Sequence, residues 1–339
     1  MTVGIQVLQH GLLTTVQDQG RFGHQRIGMS PAGAMDLHAM RLANLLVDND
    51  RDEAVLEMTM LGPKLQFTRG CVFAVTGADM GARLDGEMVP WGCAVTAPAG
   101  SVLQFGAARS GCRAYLAVAG GFDVPVLYGS KSTLLRSSLG GFQGRKLQTG
   151  DLLPLAAPRT EVANQGLRRL PPQPPFSRSI TVRVIPGPQE DRFSQRGLDT
   201  FYHSAFTVPD KSDRMGCRLS GPKIEHSGDP NIISDGIPLG AVQVPGSGAP
   251  MIMMSEHQGS GGYAKIANVI SVDIPLVAQC PPGAEIRFQA VTVEEAQRLY
   301  LTQLSEYDRL EQMFRRELAG SYQVTVNGRT FQVEITAAW

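Results

Sequence analysis

A proline-rich stretch at the middle of the sequence limits what this chain can fold into. Leu170–Pro175 has the sequence LPPQPP, in which four residues lack a backbone N–H donor. Such a segment is typical of a stiff linker. A single core seldom grows beyond about 250–300 residues, so this chain of 339 residues is predicted to form two domains, 1–155 and 179–291, joined by a linker at 156–178.

Both domains are predicted to be mainly β. The 38 glycines and 22 prolines of the chain suit many short strands joined by tight turns. Strand-like runs in the first domain are Ile5–Leu8, Ala54–Met58, Val72–Thr76, Val102–Phe105 and Tyr115–Val118. Those in the second domain are Thr181–Ile185, Gly240–Val244, Met251–Met254, Ile266–Val272 and Glu285–Ala290. Asp85 and Gly86 predict a tight hairpin, because both central residues of such a turn adopt positive φ.

A few helices accompany the predicted strands. Asp36 is placed to cap the start of a helix whose apolar residues recur at helical spacing. The last segment, 292–339, opens with Thr292 and Glu295 at the spacing of a capping box, followed by a long amphipathic pattern. Asn327–Gly328 then lies between two alternating runs. This segment is therefore predicted to be a helix followed by a β-hairpin.

Charge and composition exclude several classes of protein. Lys plus Arg and Asp plus Glu both number 31, so no overall field draws the chain to nucleic acid or to an anionic membrane. The sequence contains neither a signal peptide nor an apolar run long enough to span a bilayer. The five cysteines form no C-x-x-C pair. These features predict a cytoplasmic protein with reduced cysteines.

Familiar catalytic and cofactor motifs are missing. Gly129–Thr133 lacks the spacing of a phosphate loop and is not followed by a helical pattern. Gly259–Ala264 imitates a dinucleotide fingerprint but precedes a strand-like run. The six histidines show no pairing at helical spacing, so no metal site is predicted. Common hydrolases, kinases and dehydrogenases are thereby excluded.

Polar loops punctuated by glycine remain as the informative feature. They are TTVQDQGR at Thr14–Arg21, GAMD at Gly33–Asp36, GSKST at Gly129–Thr133 and SDRMG at Ser212–Gly216. In this order they resemble the family known as allophanate hydrolase subunit 2, the C subunit of 5-oxoprolinase, or KipI antagonist. That family corresponds to the A–B half of the carboxyltransferase domain of urea carboxylase.

The resemblance implies a fold of two tandem cyclophilin-like β-barrel domains. It implies a KipI-like partner, of the type that forms the B subunit of 5-oxoprolinase, and a third, LamB/YcsF-like subunit. The expected substrate is 5-oxoproline, a small lactam, and the expected reaction is its ATP-dependent opening to glutamate. One alternative is a biotin-dependent carboxyltransferase that acts on urea or a related amide, with biotin on a separate carrier. Another is a non-catalytic regulator that sequesters a KipI-type protein.

The loop from Glu256 to Lys265 holds the densest group of ionisable residues, and we predict proton transfer there. Glu256 and His257 are candidate catalytic residues, because histidine changes charge near neutral pH. Asp213, in the SDRMG loop, is a third candidate. The alternative is that the Glu256–Lys265 segment is only a glycine-rich surface loop.

Other polar residues are candidates for binding an anion or the substrate. Arg21, oriented by Asp18, offers a bidentate fork to a carboxylate or phosphate. Lys131 offers a cation beside two hydroxyls. The alternatives are a local ion pair and a solvated turn. The full set of candidates is Asp18, Arg21, Lys131, Ser132, Thr133, Arg214, Gln243, Tyr263 and Lys265.

The last loop departs from the family pattern, which usually reads DRQTTGGYPKI. Here residues 256–266 read EHQGSGGYAKI, so His257 stands where the family has arginine. We expect His257 to supply positive charge only when protonated, and an anion held there to bind more tightly at low pH.

Overall fold

Short, alternately buried strands build most of the chain. The structure, a computed structural model, describes residues 3–210, 212–315 and 320–335. Strands before the proline-rich stretch are β1 Gly4–Gln9, β2 Leu13–Gln17, β3 Val55–Thr59, β4 Lys64–Phe67, β5 Cys71–Asp79, β6 Arg83–Leu84, β7 Glu87–Met88, β8 Val95–Ala97, β9 Val102–Gln104, β10 Ser110–Val118 and β11 Leu152–Pro154.

The later strands are β12 Ser179–Pro186, β13 Phe206–Thr207, β14 Gly216–Arg218, β15 Asn231–Gly236, β16 Ala241–Gln243, β17 Met251–Met253, β18 Ser260–Tyr263, β19 Lys265–Val269, β20 Glu285–Ala290, β21 Gly320–Val326 and β22 Arg329–Ile335. The α-helices are α1 Leu37–Leu46, α2 Gln195–His203, α3 Ile274–Ala278 and α4 Val293–Arg315. The prediction of a mainly-β fold with a few helices is confirmed.

The first half consists of two sheets, ordered β11-β1-β4-β9-β6-β7 and β2-β3-β10-β5-β8. Strand β10 shows how they share a core, because successive side chains of a strand point to opposite faces. Ala114, Leu116 and Val118 pack between the two sheets. Tyr115 and Ala117 face the other way, where α1 covers the sheet. This explains why β10 is buried on both faces.

The second half is organised around one larger sheet, ordered β13-β20-β12-β19-β16-β17-β14. Strands β12 and β20 pair in parallel and the other neighbours are antiparallel. Val182, Val184 and Phe288 belong to its buried core, which Phe201 of α2 helps to close. A small two-stranded sheet, β15-β18, lies beside it.

Three local features differ from the sequence predictions. The strand predicted to reach Val272 ends at Val269, and a short 3-10 helix follows it. Helix α2 was not predicted, although Ser194 caps it by accepting a hydrogen bond from the Gly197 N–H. Arg168, within the segment 156–178 that was predicted as a linker, is buried and donates to the Leu45 carbonyl at 2.7 Å.

The C-terminal segment begins as predicted. The Thr292 hydroxyl accepts from the Glu295 N–H at 3.2 Å, and α4 buries Tyr307 against the first half of the chain. Asn327 and Gly328, both at positive φ, connect β21 to β22 as a hairpin. Residues 316–319 and 336–339 of the predicted segment lie outside the described residues. Within the described ranges no helix is long and apolar enough to cross a membrane.

Candidate functional site

The loop after β2 is held by the carboxylate of Asp18. One carboxylate oxygen accepts from the Gly20 N–H at 2.8 Å and the Ser130 hydroxyl at 2.7 Å, and also from the Ser132 hydroxyl. The other accepts from the Lys131 N–H at 2.6 Å. Asp18 therefore joins the TTVQDQGR and GSKST loops, and its hydrogen bonds are explained by the fold.

The side chains of the GSKST turn also form their ion pair and hydrogen bonds within the protein. The Lys131 ammonium lies 2.7 Å from a carboxylate oxygen of Glu53 and 3.1 Å from the Phe122 carbonyl. The buried Thr133 hydroxyl donates to the Val16 carbonyl at 3.0 Å. The turn predicted to bind an anion thus has its cation paired and its hydroxyls donating to protein acceptors. This arrangement gives it a scaffolding role.

Arg21 differs from its neighbours because most of its guanidinium is unused. Its side chain is only 1% exposed. Nη2 donates to the Ser132 carbonyl, but Nε and Nη1 have no hydrogen-bond partner in the described part of the chain. Burial lowers its pKa, which the charges of Asp18 and Glu256 oppose without a direct hydrogen bond. Two buried donors on a cation suit a carboxylate ligand.

Arg214 connects the two halves through a buried charge network. Its Nε lies 2.6 Å from a carboxylate oxygen of Glu256, and its Nη1 and Nη2 donate to Glu57 and to the Gly33 carbonyl. Burial alone would lower the pKa of Arg214, but the two carboxylates raise it overall. Arg214 is therefore a positioning residue for Glu256.

Glu57 was missed by the sequence analysis. Its second carboxylate oxygen accepts from the Met35 N–H at 2.7 Å and from the Tyr115 hydroxyl at 2.9 Å. The signal that could have revealed it is a lone carboxylate inside the apolar run of β3, since buried charges in proteins are usually paired.

His257 is a buried, neutral imidazole. Its side chain is 4% exposed, and burial lowers its pKa below the usual 6.5 although the Gln258 carbonyl partly opposes this. The lowered pKa means that the ring gains its charge only at lower pH, and the expectation that an anion binds there more tightly at low pH stays a prediction. Nδ1 lies 2.9 Å from the Gln258 carbonyl oxygen. Because a carbonyl only accepts, Nδ1 carries the ring hydrogen and Nε2 presents a lone pair for accepting a proton.

Gln243 is a second buried group with unused polar atoms. It ends β16, where it pairs with Met251 of β17 and Lys265 of β19. The side chain is 0% exposed, yet neither Oε1 nor Nε2 has a hydrogen-bond partner among the described residues. Gly261, in the same loop region as Glu256 and His257, lies directly beside the amide.

The remaining candidates form contacts of their own. Asp213 accepts from the Met215 and Gly216 N–H groups at 2.8 and 3.1 Å, as in a turn. The Lys265 ammonium lies 2.8 Å from the Asp235 carboxylate. Tyr263 is 40% exposed on β18. Hydrogen bonds within the fold account for Asp213 and Lys265, so neither is assigned to ligand binding.

The structure thus defines a mainly-β protein with a polar site where its two halves meet. Arg21 comes from the first half, and Glu256, His257 and Gln243 come from the second. The charge of Glu256 acts on Arg21, and the Gln243 amide lies beside Gly261 of the loop that follows His257. These four residues are the candidate site. Within the described residues no cluster of histidine, cysteine or acidic side chains could hold a metal ion. This chemistry suits a small ligand that has both a carboxylate and an amide.

Comparison with known proteins shows the family to which this mainly-β chain belongs. Residues 27–290 match the family described as the carboxyltransferase domain, subdomain A and B. The 5-oxoprolinase C subunit of Escherichia coli strain K12 is 38% identical over 307 residues, covering 90% of this chain and 97% of that protein. The chain belongs to the carboxyltransferase subdomain A and B family.

Larger proteins contain the same unit. The urea amidolyase of Saccharomyces cerevisiae is 34% identical over 315 residues, which are 87% of this chain but 17% of that protein. The crystal structure of the Kluyveromyces lactis urea carboxylase is 32% identical with a TM-score of 0.85, covering 94% of this chain and 30% of that chain.

Proposed function

We propose that this chain belongs to a 5-oxoprolinase-type hydrolase complex that opens 5-oxoproline to glutamate. The similarity to two bacterial 5-oxoprolinase C subunits along nearly their whole length supports this assignment. The observation that carries it is the buried Arg21, whose Nε and Nη1 are free to bind a carboxylate. 5-Oxoproline is a lactam with one carboxylate, which matches a cation and an amide in one site.

Ring opening breaks the lactam C–N bond, joins a water oxygen to the carbonyl carbon and delivers a proton to the nitrogen. In our proposal Arg21 holds the substrate carboxylate and fixes the ring. Nε2 of His257 takes a proton from water and returns it to the leaving nitrogen. Arg214 holds the Glu256 carboxylate in place beside this histidine. The N–H groups of the Arg21 cation and of the Gln243 amide stabilise the negative charge that develops on the carbonyl oxygen.

ATP would supply the driving force for opening a stable lactam ring. The residues of the GSKST turn do not fit a triphosphate, because Lys131 is paired with Glu53 and the Ser130 and Ser132 hydroxyls donate to Asp18. We therefore assign ATP to partner subunits of the KipI-like and LamB/YcsF-like types.

A biotin-dependent carboxyltransferase is the second candidate function. The family match and the urea amidolyase relatives favour it. The ureido ring of biotin has the same N–H and C=O edge as a lactam, and Gln243 is able to bind either. Biotin would then be carried by another protein. In this reading Arg21 binds the carboxyl group that is transferred.

Reconstitution tests the main proposal. We expect the purified chain alone to show no 5-oxoproline-dependent ATP hydrolysis, and the chain with both partner subunits to form glutamate. Replacing Arg21→Met should raise the KM for 5-oxoproline about a hundredfold, because a charge-assisted contact is lost. Arg145→Met is the matched control, since the Arg145 guanidinium is already paired with the Asp151 carboxylate. Activity of the isolated chain, or normal kinetics of Arg21→Met, would contradict the proposal.

A further inference from the structure

Gln243 is the buried amide that the fold does not use. Its Oε1 and Nε2 lack partners among the described residues, although burying an unpaired amide is unfavourable. Gln279, which is equally buried, shows what this fold does with a structural amide. It accepts from the Cys112 and Arg113 N–H groups, both at 3.0 Å, and donates to the Asp36 carboxylate and the Arg113 carbonyl at 2.8 and 2.9 Å. The contrast indicates that the polar atoms of Gln243 serve a ligand.

A glycine lies against the Gln243 amide. A Cβ at Gly261 would lie 3.2 Å from Nε2 of Gln243 and 2.8 Å from Nε2 of Gln258. It would also lie 2.7 Å from a methyl carbon of Ile237. The backbone of Gly261 is not at positive φ, so its conformation does not require glycine. Close packing against Ile237, Gln258 and the Gln243 amide is the remaining reason for it.

We infer that Gln243 binds the edge of a cis amide. Its Oε1 accepts the ligand N–H while its Nε2 donates to the ligand carbonyl oxygen. Both hydrogen bonds form together only when the N–H and C=O lie on the same side. Open peptide bonds are almost always trans, whereas a small ring forces the cis arrangement. Gln243 is thus a specificity-determining residue.

The inference rests on the proposed function for its first ligand, the lactam of 5-oxoproline. The same edge occurs in the ureido ring of biotin and in urea, so the shared chemistry is the cis N–C=O edge. In the proposed function Arg21 then distinguishes these sources, because 5-oxoproline carries a carboxylate that urea and the ureido ring of biotin lack. Two different groups therefore recognise the two ends of the ligand.

Calorimetric titration of the full chain, alone and reconstituted with its partner subunits, tests this inference. The probes are L-5-oxoproline, 2-imidazolidinone as a ureido ring without carboxylate, and cyclopentanecarboxylate as a carboxylate without amide. We expect Gln243→Met to weaken both ring amides about tenfold or more and to leave cyclopentanecarboxylate binding unchanged. Thermal stability should be equal or higher, because an unpaired buried amide is removed. A fall in stability would show a structural role instead.

Glycine substitutions provide a matched pair. Gly261→Ala places a methyl group beside the amide and should weaken the ring amides as Gln243→Met does. Gly259→Ala is the control, since its nearest contact is an ordinary 3.6 Å to Gln25. Unchanged ring-amide binding by Gln243→Met, or no binding of either ring amide in any assembly, overturns the inference. If 2-imidazolidinone binding depends on Gln243 but 5-oxoproline is not hydrolysed, the proposed function fails and the inference stands.

Discussion

Residues of one motif have separate roles in this protein. Asp18 and Arg21 lie three positions apart in the TTVQDQGR loop. The hydrogen bonds of the Asp18 carboxylate close the loop, whereas Arg21 keeps two donors unpaired within the described residues. Unpaired buried donors are uncommon in folded proteins and therefore indicate function more sharply than the motif does.

Burial of His257 predicts a loss of stability in acid. Its pKa is lowered in the folded state, mainly by burial, so the unfolded chain binds a proton more readily. Stability associated with His257 is present above pH 6.5 and is lost as pH falls through the lowered folded pKa. We expect His257→Gln to lose less stability than the wild type when the pH is lowered from about 8 to about 5. Denaturant unfolding at each pH measures this.

The exposed His203 provides the control for that comparison. His203→Gln should follow the wild-type pH profile, because its ring is not enclosed by the fold. If His257→Gln and the wild type lose stability in parallel, His257 is not a buried neutral base. The proton-transfer role proposed for Nε2 would then be withdrawn.

The four residues of the candidate site were already candidates from the sequence, but the pairing of the polar side chains was not predicted. Glu256, His257, Arg21 and Gln243 were all predicted. What could not be predicted is which cations are neutralised, because Lys131 meets Glu53 from a distant part of the chain. Such pairing depends on tertiary packing, which local motifs do not encode.

At the scale of elements, α3 is joined to the first half of the chain by the residue that follows it, Gln279. Gln279 follows α3 and makes four hydrogen bonds to the first half of the chain, including one to the Asp36 carboxylate that caps α1. We expect Gln279→Met to lower the free energy of unfolding by about 3 kcal/mol or more, since it leaves buried donors and acceptors unpaired. Gln243→Met, the same substitution at an equally buried site, should not lower it. Equal losses in both variants would contradict this contrast.

Elements defined by turn chemistry were predictable, and elements defined by packing were not. The Asp85–Gly86 and Asn327–Gly328 hairpins formed as expected, because their backbones require positive φ. Helix α2 was missed because few of its residues are apolar, and it is held by burial of Gly197 and Phe201. Strands β15 and β18 were also missed, since none of their residues is fully buried.

At the scale of the whole molecule, one arginine joins the halves electrostatically. Arg214 lies between Glu57 of β3 and Glu256 of the last loop, and it also donates to the Gly33 carbonyl. The candidate site therefore exists only when both halves are folded against each other. This coupling explains why the predicted domain limits, which remain predictions, do not by themselves locate the site.

Removing that arginine should weaken both the stability and the cooperativity of the protein. Arg214→Met leaves two buried carboxylates without a cation, so we expect the free energy of unfolding to fall by about 3–5 kcal/mol. We expect the wild type to unfold in one denaturant transition, and because Arg214→Met loses this connection between the halves, its transition should broaden or split in two. Arg145→Met removes a bidentate pair with Asp151 at 2.7 and 2.8 Å, but that pair is local and partly exposed. Arg145→Met should therefore lower the free energy of unfolding by at most about 1 kcal/mol and should unfold in one transition. If both variants unfold alike, Arg214 does not couple the halves.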